Sequence, residues 1–94
     1  MRLDEAAIAA ALRGVPGWER AGAEIRRRYR FADFRAALAF VNRVGALAEA
    51  AGHHPDIDIR YDTVTLALTT HDAGGLSARD FDLARAIDGP PSSR

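Results

Sequence analysis

The 94-residue chain contains no cysteine, which excludes disulfides, thiolate metal ligands and cysteine nucleophiles. It also has no lysine: arginine supplies all 13 basic residues, and 13 acidic residues balance them to a formal net charge of zero. Proteins dedicated to nucleic acid or to anionic membranes usually carry excess positive charge, so we expect neither partner. No apolar run reaches transmembrane length or resembles a signal peptide, and we therefore expect a cytoplasmic location.

Helix signals are clear at three places in the chain. Asp4 can cap a short first helix, which the glycine and proline of "RGVPG" end. A longer helix is capped by Asp33 and ended by Gly52. A last helix begins within "GLSARD" and turns Phe81, Ala84 and Ile87 inward.

Two hairpins separate these helices. The first begins at Trp18 and turns near Ala21-Gly22. Its second strand, "EIRRRYRF", alternates apolar residues with arginines. Arg26, Arg28 and Arg30 share one face of that strand. A solvated surface is the simpler interpretation of that face, and a phosphate-binding patch is the alternative.

The order of elements is therefore α-β-β-α-β-β-α. Two hairpins can join in one antiparallel sheet, so the sequence predicts an α+β, two-layer fold with a four-stranded antiparallel sheet and helices on one face. Ninety-four residues make a single domain, residues 1–94, in which residues 1–3 and 89–94 are expected to fray.

The long helix has a broad apolar stripe, and an open sheet has two edge strands with unpaired backbone groups. Both features favour self-association, which is most often two-fold symmetric. We expect a homodimer at least and leave a tetramer open. The stripe comprises Phe34, Ala37, Leu38, Val41, Val44 and Ala48, with Phe40 and Leu47 beside it.

The second hairpin, "PDIDIRYDTVTLALTT", also alternates apolar and polar residues. Asp62-Thr63 is the predicted turn. Tyr61 continues the apolar face of its strand, so we interpret it as a core residue rather than a substrate contact. The predicted inward residues are Ile57, Ile59, Tyr61, Val64, Leu66 and Leu68.

The three histidines of the chain meet at the open end of this hairpin. A two-residue turn pairs Tyr61 with Val64 and, continued outward, sets His54 opposite His71, with His53 one residue away. A three-residue loop would instead set His53 opposite His71. Either register brings all three imidazoles to one end of the sheet.

Three interpretations of this cluster compete. Histidines at strand ends often serve only to bind backbone carbonyls. Two histidines and Glu49 could hold a metal ion, although the usual helical spacing of metal ligands is absent. The third interpretation is general acid-base chemistry, because imidazole titrates near neutral pH. Pro55 would stiffen the chain just after the histidine pair.

The run "EAAGHHPDIDIRYDTVTLALTTHDAGGLSARD" resembles the signature of the pterin-4a-carbinolamine dehydratases. The resemblance extends to the "GW" at Gly17-Trp18 and to "DF" at Asp33-Phe34. The positions that carry it are Glu49, His53, His54, Pro55, Tyr61, His71 and Asp80.

The resemblance implies a dehydratase that removes water from 4a-hydroxytetrahydrobiopterin, giving quinonoid dihydropterin, without metal or cofactor. It implies that His53 and His71 are the acid-base pair, that His54 assists or handles the other stereoisomer, and that Glu49 orients a histidine or binds the ring. The backbone of residues 53–55 and of Thr70, His71, Asp72 and Ala73 would bind the pterin.

The implied partners are the pterin itself, further copies of the chain, and, through the pathway, an aromatic amino acid hydroxylase. As some animal members of the family do, the chain could instead act mainly by docking to a protein. Asp80 has two possible roles, a direct catalytic role or helix capping, since Ser77 three residues earlier makes it part of a predicted helix cap.

Overall fold

The computed structural model describes residues 1–89, and its helices and strands follow the expected order. The predicted fraying of residues 90–94 lies outside the described part of the chain. Leu3, at the other end, donates its backbone N–H to the carbonyl of Leu76 at 2.8 Å. The elements are α1 (Glu5–Leu12), β1 (Glu19–Ala21), β2 (Glu24–Arg30), α2 (Phe34–Ala51), β3 (Asp56–Arg60), β4 (Thr63–Leu68), a 3-10 turn (His71–Ala73) and α3 (Ala78–Asp88).

The predicted N-caps are confirmed. The Asp4 carboxylate accepts from the backbone N–H of Ala7 at 2.9 Å, and Asp33 accepts from Ala36 at 2.8 Å. Each aspartate thereby satisfies a backbone donor that the first turn of a helix leaves free. These two contacts fix where α1 and α2 begin.

The four strands form one antiparallel sheet in the order β1-β2-β4-β3. β2 pairs with β4 and so joins the two hairpins, while β1 and β3 are the edges. Arg26, Arg28 and Arg30 are exposed on the outer face, as predicted for a solvated surface.

The helices cover the other face of the sheet, where the core lies. α2 packs against α3 and against β4. The buried apolar residues include most of the predicted inward positions: Ile8, Val15, Trp18, Ile25, Ala37, Val44, Ala48, Val64, Leu66, Leu68, Leu76, Phe81, Leu83, Ala84 and Ile87.

The register of the second hairpin differs from the prediction. Arg60 pairs with Thr63, so the two turn residues are Tyr61 and Asp62. Tyr61 takes a left-handed conformation with φ 52°. The carbonyl of Asp62 accepts the backbone N–H of Phe31 at 2.8 Å, which holds the turn against the end of β2.

This shift of two residues changes which residues face each other across the open end. Continuing the observed pairing outward would set Thr69, not His71, opposite His54. Both expected pairings, of His54 or of His53 with His71, are therefore wrong. A shift of two preserves the side of every residue, so Ile57 pairs with Leu66 instead of the predicted Leu68 but stays on the helix-bearing face.

Two expectations about burial are also wrong. Tyr61 is 67% exposed rather than part of the core, because it lies in the turn. Ile57 and Ile59 are on the predicted face but remain 38% and 36% exposed. In the α2 stripe, Phe34 and Leu38 are exposed, whereas Ala37, Val44 and Ala48 are buried.

The carboxylate of Asp88, at the end of α3, binds three side chains of the first hairpin region. It accepts from Trp18 Nε1 at 2.9 Å, from the Tyr29 hydroxyl at 2.6 Å and from Arg27 at 3.1 Å. Burial, and then the hydrogen bond to Asp88, raise the pKa of the Tyr29 phenol far above its ordinary value. Tyr29 therefore stays a protonated donor at every physiological pH.

We expect Tyr29→Phe to lower the free energy of unfolding by about 1–2 kcal/mol, because the Asp88 carboxylate loses a donor. The raised pKa in the folded state means that the contribution is complete below the unfolded pKa of about 10 and is lost at higher pH. The stability gap between the native chain and the variant should therefore narrow above about pH 10. Urea unfolding from pH 7 to 11 measures it, with the exposed Tyr61→Phe as control; a constant gap would contradict this account.

Candidate active site

The end of α2 places His53. Gly52 has φ 63°, the left-handed conformation that glycine adopts without strain. The backbone N–H of His53 donates to Ala48 at 3.1 Å and that of Gly52 donates to Glu49 at 3.2 Å, the two hydrogen bonds of a Schellman motif. The chain therefore reverses at Gly52, and His53 is buried while His54 is exposed.

The side chain of His53 contacts a fully buried carboxylate. Its Nε2 lies 2.6 Å from Oδ1 of Asp80, which is 0% exposed. The other carboxylate oxygen accepts from Thr70 Oγ1 at 2.8 Å and from the backbone N–H of Ser77 at 3.0 Å. Asp80 thus satisfies the rule that a buried charge needs several hydrogen bonds.

Asp80 completes the capping box of α3, as the sequence predicted, and its carboxylate also contacts His53. Its position in the first turn places it near the positive end of the helix dipole. Ser77 and Thr70 extend the network, with their hydroxyls 2.7 Å apart. The sequence did not predict that Thr70 donates to Asp80. The only signal for this role was that Thr70 directly precedes His71 in the chain.

The Asp80 contact fixes the tautomer of His53. A carboxylate only accepts, so the Nε2 of His53 carries hydrogen and donates it. When the imidazole is neutral, Nδ1 is then its accepting atom. The carboxylate thus holds one ring nitrogen and leaves the other free for a reactant. This arrangement suits a general base.

His54 and Glu49 form a second, exposed pair. Nε2 of His54 lies 2.6 Å from Oε2 of Glu49, and their side chains are 61% and 78% exposed. They are five residues apart, brought together by the reversal at Gly52. The predicted link between Glu49 and a histidine is thus present, and the histidine is His54.

His71 opens the 3-10 turn after β4. Thr70 and Gly75 exchange backbone hydrogen bonds of 3.2 and 3.3 Å across the base of this turn. His71 is exposed and lines a cleft of about 330 Å³ with Ala23 of the β1–β2 turn. His53 lines a different cleft, of about 370 Å³, between α2 and α3. The histidines lie near one end of the sheet, and within residues 1–89 His53 and His71 line separate clefts.

Comparison with known proteins gives the family. The model of the family described as pterin 4 alpha carbinolamine dehydratase matches residues 1–89. A Chloroflexus aurantiacus protein named "Putative pterin-4-alpha-carbinolamine dehydratase" is 63% identical over 87 residues, which cover 93% of this chain and 94% of that protein. A Thermomicrobium roseum protein of the same name is 59% identical over 92% of each chain. The chain belongs to this family.

Solved structures agree in fold. The crystal structure of a transcriptional coactivator/pterin dehydratase from Brucella melitensis superposes with a TM-score of 0.89 at 32% identity, covering 94% of this chain and 96% of that one. A pterin dehydratase-like protein described as a RuBisCO assembly factor in the alpha-carboxysome superposes with a TM-score of 0.62, over 76% and 82% of the two chains. At 22% identity, this second likeness concerns the fold alone.

Backbone groups that the family resemblance assigned to pterin binding are partly engaged within the chain. The N–H of His53, both backbone groups of Thr70 and the N–H of Ala73 all form internal hydrogen bonds. The carbonyl oxygen of Thr70 already accepts two hydrogen bonds, from the N–H groups of Ala73 and Gly75, so the backbone of Thr70 has no free group for a ligand. Pro55 is half-buried and Asp72 is exposed.

Within residues 1–89, no group of three or more histidine, aspartate or glutamate side chains is arranged to hold a metal ion. Of the side chains in the metal alternative, Glu49 contacts one histidine, His54, within residues 1–89.

The described helices include none that is long and apolar enough to cross a bilayer.

We expect Asp80→Ala to lower the free energy of unfolding by about 3 kcal/mol, because it leaves three donors without their acceptor in the protein interior. Asp82→Ala, two residues along α3 and exposed, should change stability by less than about 0.5 kcal/mol. Urea unfolding at pH 7 compares the two. Equal effects would contradict the role of Asp80 as the acceptor that joins α2, β4 and α3.

Proposed function

We propose that this chain is a hydro-lyase that converts 4a-hydroxytetrahydrobiopterin into quinonoid dihydropterin and water. The observation that carries the proposal is the buried Asp80–His53 pair in a chain of the pterin carbinolamine dehydratase family. In the reaction the C4a–O bond breaks, the hydroxyl leaves as water after gaining a proton, and N5 loses its proton. The pterin is the substrate, and the proposal requires no separate cofactor.

His53 is one of the two proton-transfer groups in this proposal. Asp80 holds Nε2 and stabilises the imidazolium that forms when Nδ1 takes a proton. Burial restricts the ring to few orientations, so little freedom is lost when substrate binds. Asp80 acts here as a positioning residue, because it contacts the histidine and not the pterin.

His71 is the second proton-transfer group. It lies on a turn closed by the Thr70–Gly75 bridge, which fixes its backbone while its side chain stays accessible. His54, paired with Glu49, assists at the rim or serves the other stereoisomer at C4a. The chemistry requires one group to take the N5 proton and one to protonate the leaving hydroxyl, and either histidine suits either part.

The wider pathway follows from the substrate. A 4a-hydroxytetrahydropterin arises when a pterin-dependent aromatic amino acid hydroxylase has used oxygen, so such an enzyme is the proposed source. A reductase would return the quinonoid product to the tetrahydropterin. The proposed substrate-binding residues are His53, His54, Pro55, Thr70, His71, Asp72 and Ala73.

We expect His53→Ala and His71→Ala each to reduce kcat by about 10²–10⁴, the usual contribution of a positioned acid or base. Asp80→Asn should reduce kcat by a similar factor with little change in KM, since an amide in place of the carboxylate presents the wrong partner to Nε2. The measurement is the absorbance change on dehydration of 4a-hydroxytetrahydropterin, in protein whose folding is checked by circular dichroism.

His54→Ala is the matched comparison, because His54 is adjacent to His53 but exposed, and we expect a smaller loss. Full activity in the His53→Ala, His71→Ala double variant would refute the dehydratase assignment. Full activity in Asp80→Asn alone would refute only the positioning role.

A protein-docking function is the second candidate, and one structural feature favours it. The β3 edge, defined as Ile57, Ile59 and Tyr61, exposes apolar side chains beside unpaired backbone groups. The Brucella melitensis relative is described as a transcriptional coactivator as well as a pterin dehydratase. We propose that a second copy of this chain covers the β3 edge first, giving the expected homodimer, and leave the tetramer open.

Light scattering at micromolar concentration should give a mass near twice the 10.2 kDa of one chain. Replacing both isoleucines, Ile57→Glu with Ile59→Glu, should give a monomer, because charged residues on an edge oppose strand pairing. Asp58→Ala, on the other face of β3, is the control and should remain dimeric. A native chain with the mass of one copy would contradict the homodimer.

A further inference from the structure

A third cleft lies away from the histidines, and the proposed dehydratase chemistry does not use it. It has a volume of about 850 Å³ and lies between β2, α2 and the end of α3. We call it the aromatic cleft, defined by Tyr29, Phe31, Phe40, Arg43, Arg85 and Asp88. Its volume falls within the range of about 300–1,000 Å³ typical of sites for small molecules.

Three aromatic rings form one wall of the aromatic cleft. The ring of Phe40 lies 4.5 Å from that of Tyr29 and 5.0 Å from that of Phe31, centroid to centroid. Tyr29 and Phe31 are stacked at 6.4 Å. All three are only half-buried, so part of their apolar surface remains open to a ligand. Such a wall favours stacking with another planar ring.

The lining of the cleft carries a net positive charge, although the whole chain is neutral. Arg27, Arg43 and Arg85 contribute three positive charges, and Asp88 contributes one negative charge, which leaves +2. Arg27 pairs with Asp88 at 3.1 Å. Arg85 pairs with Asp82, and both of those side chains are more than half exposed, so that pair is weakly held.

Among residues 1–89, Arg43 is the cation of the cleft that no carboxylate neutralises. Its guanidinium donates to the carbonyl of Ile87 at 2.8 Å and lies 5.5 Å from the ring centre of Phe40. In residues 1–89 no carboxylate oxygen lies within 4.0 Å of it. The group is thus oriented beside the aromatic wall while its charge is free to attract an anion.

The aromatic cleft and the histidine site lie toward opposite ends of the same elements. Along α2, Phe40 precedes the terminal Ala51 by eleven residues, about 16 Å of helix. Along α3, Asp80 and Asp88 are eight residues apart, about 12 Å. A ligand in the cleft therefore does not occupy the place of the proposed substrate.

We propose that the aromatic cleft binds a small molecule that combines a planar ring with a carboxylate or phosphate group. The ring stacks against Phe40 and Tyr29, and the anionic group pairs with Arg43. A ligand with both groups would use two features of the cleft at once. These are the accessible aromatic wall and the guanidinium that no described carboxylate neutralises. The site is distinct from the proposed dehydratase site and does not depend on it.

The test uses two probes of nearly equal shape, 1-naphthoate and the neutral 1-naphthalenemethanol, added to the full chain. Amide chemical shifts in ¹H–¹⁵N spectra report where each binds and how tightly. We expect the naphthoate shifts to centre on the aromatic cleft and its affinity to exceed that of the alcohol by about tenfold, the value of one charge-assisted hydrogen bond.

Arg43→Gln should remove this tenfold preference and leave the affinity for the alcohol unchanged. Arg43→Lys, which keeps the charge, should keep part of the preference. Arg28→Gln on the outer face of the sheet is the control and should change neither affinity. Dehydratase turnover is measured in the same samples, and we expect Arg43→Gln to retain this turnover. The result therefore distinguishes failure of the cleft proposal from failure of the dehydratase proposal.

Equal affinity for both probes would overturn the proposal, and so would shifts centred on His53 or His71. If naphthoate binds tenfold more tightly to a chain truncated after Gly89, residues 90–94 and not a separate ligand occupy the cleft. If Arg43→Gln changes the mass measured by light scattering, the cleft is an interface between copies. Either result would also refute the proposal.

Discussion

The buried carboxylate of Asp80 is the contact on which the candidate active site depends. It accepts hydrogen bonds from His53 after α2, from Thr70 after β4, and from the backbone of Ser77 at the start of α3. Three segments that are distant in sequence therefore share one acceptor. A carboxylate in the protein interior is tolerated only when such donors surround it, so the folded state requires the geometry that also orients His53.

Asp88 has a comparable position at the other end of α3, where it binds Trp18, Arg27 and Tyr29. The difference between the two aspartates is burial. The side chain of Asp88 is 23% exposed, and one of its partners is a permanent cation. Asp80 is enclosed and has a titratable partner, His53. One helix thus carries a structural contact at its C-terminal end and, at its N-terminal end, the contact that orients His53 in the proposed reaction.

The ends of the helices could be predicted from the sequence, because they depend on residues that are close together in the chain. Asp4, Asp33 and Gly52 mark helix ends because capping involves only neighbouring backbone groups. The turn of the second hairpin was misplaced because Tyr61 rarely adopts positive φ, and the contact that favours it there, between Asp62 and Phe31, comes from another hairpin. The histidine motif indicated the residues of the site, but only the tertiary fold shows that Asp80 pairs with His53 and Glu49 with His54.

The exposed β3 edge shows that a pattern of alternating apolar and polar residues does not predict burial. Alternating residues specify which side of a sheet a side chain takes, and Ile57 and Ile59 do take the helix-bearing side. Whether that side is covered depends on helix width. A helix about 10 Å across spans roughly two strand spacings of about 4.8 Å, and α2 lies against β4 rather than beyond it. The inner face of β3 therefore extends past the helical layer, and its apolar side chains remain available to a second copy of the chain.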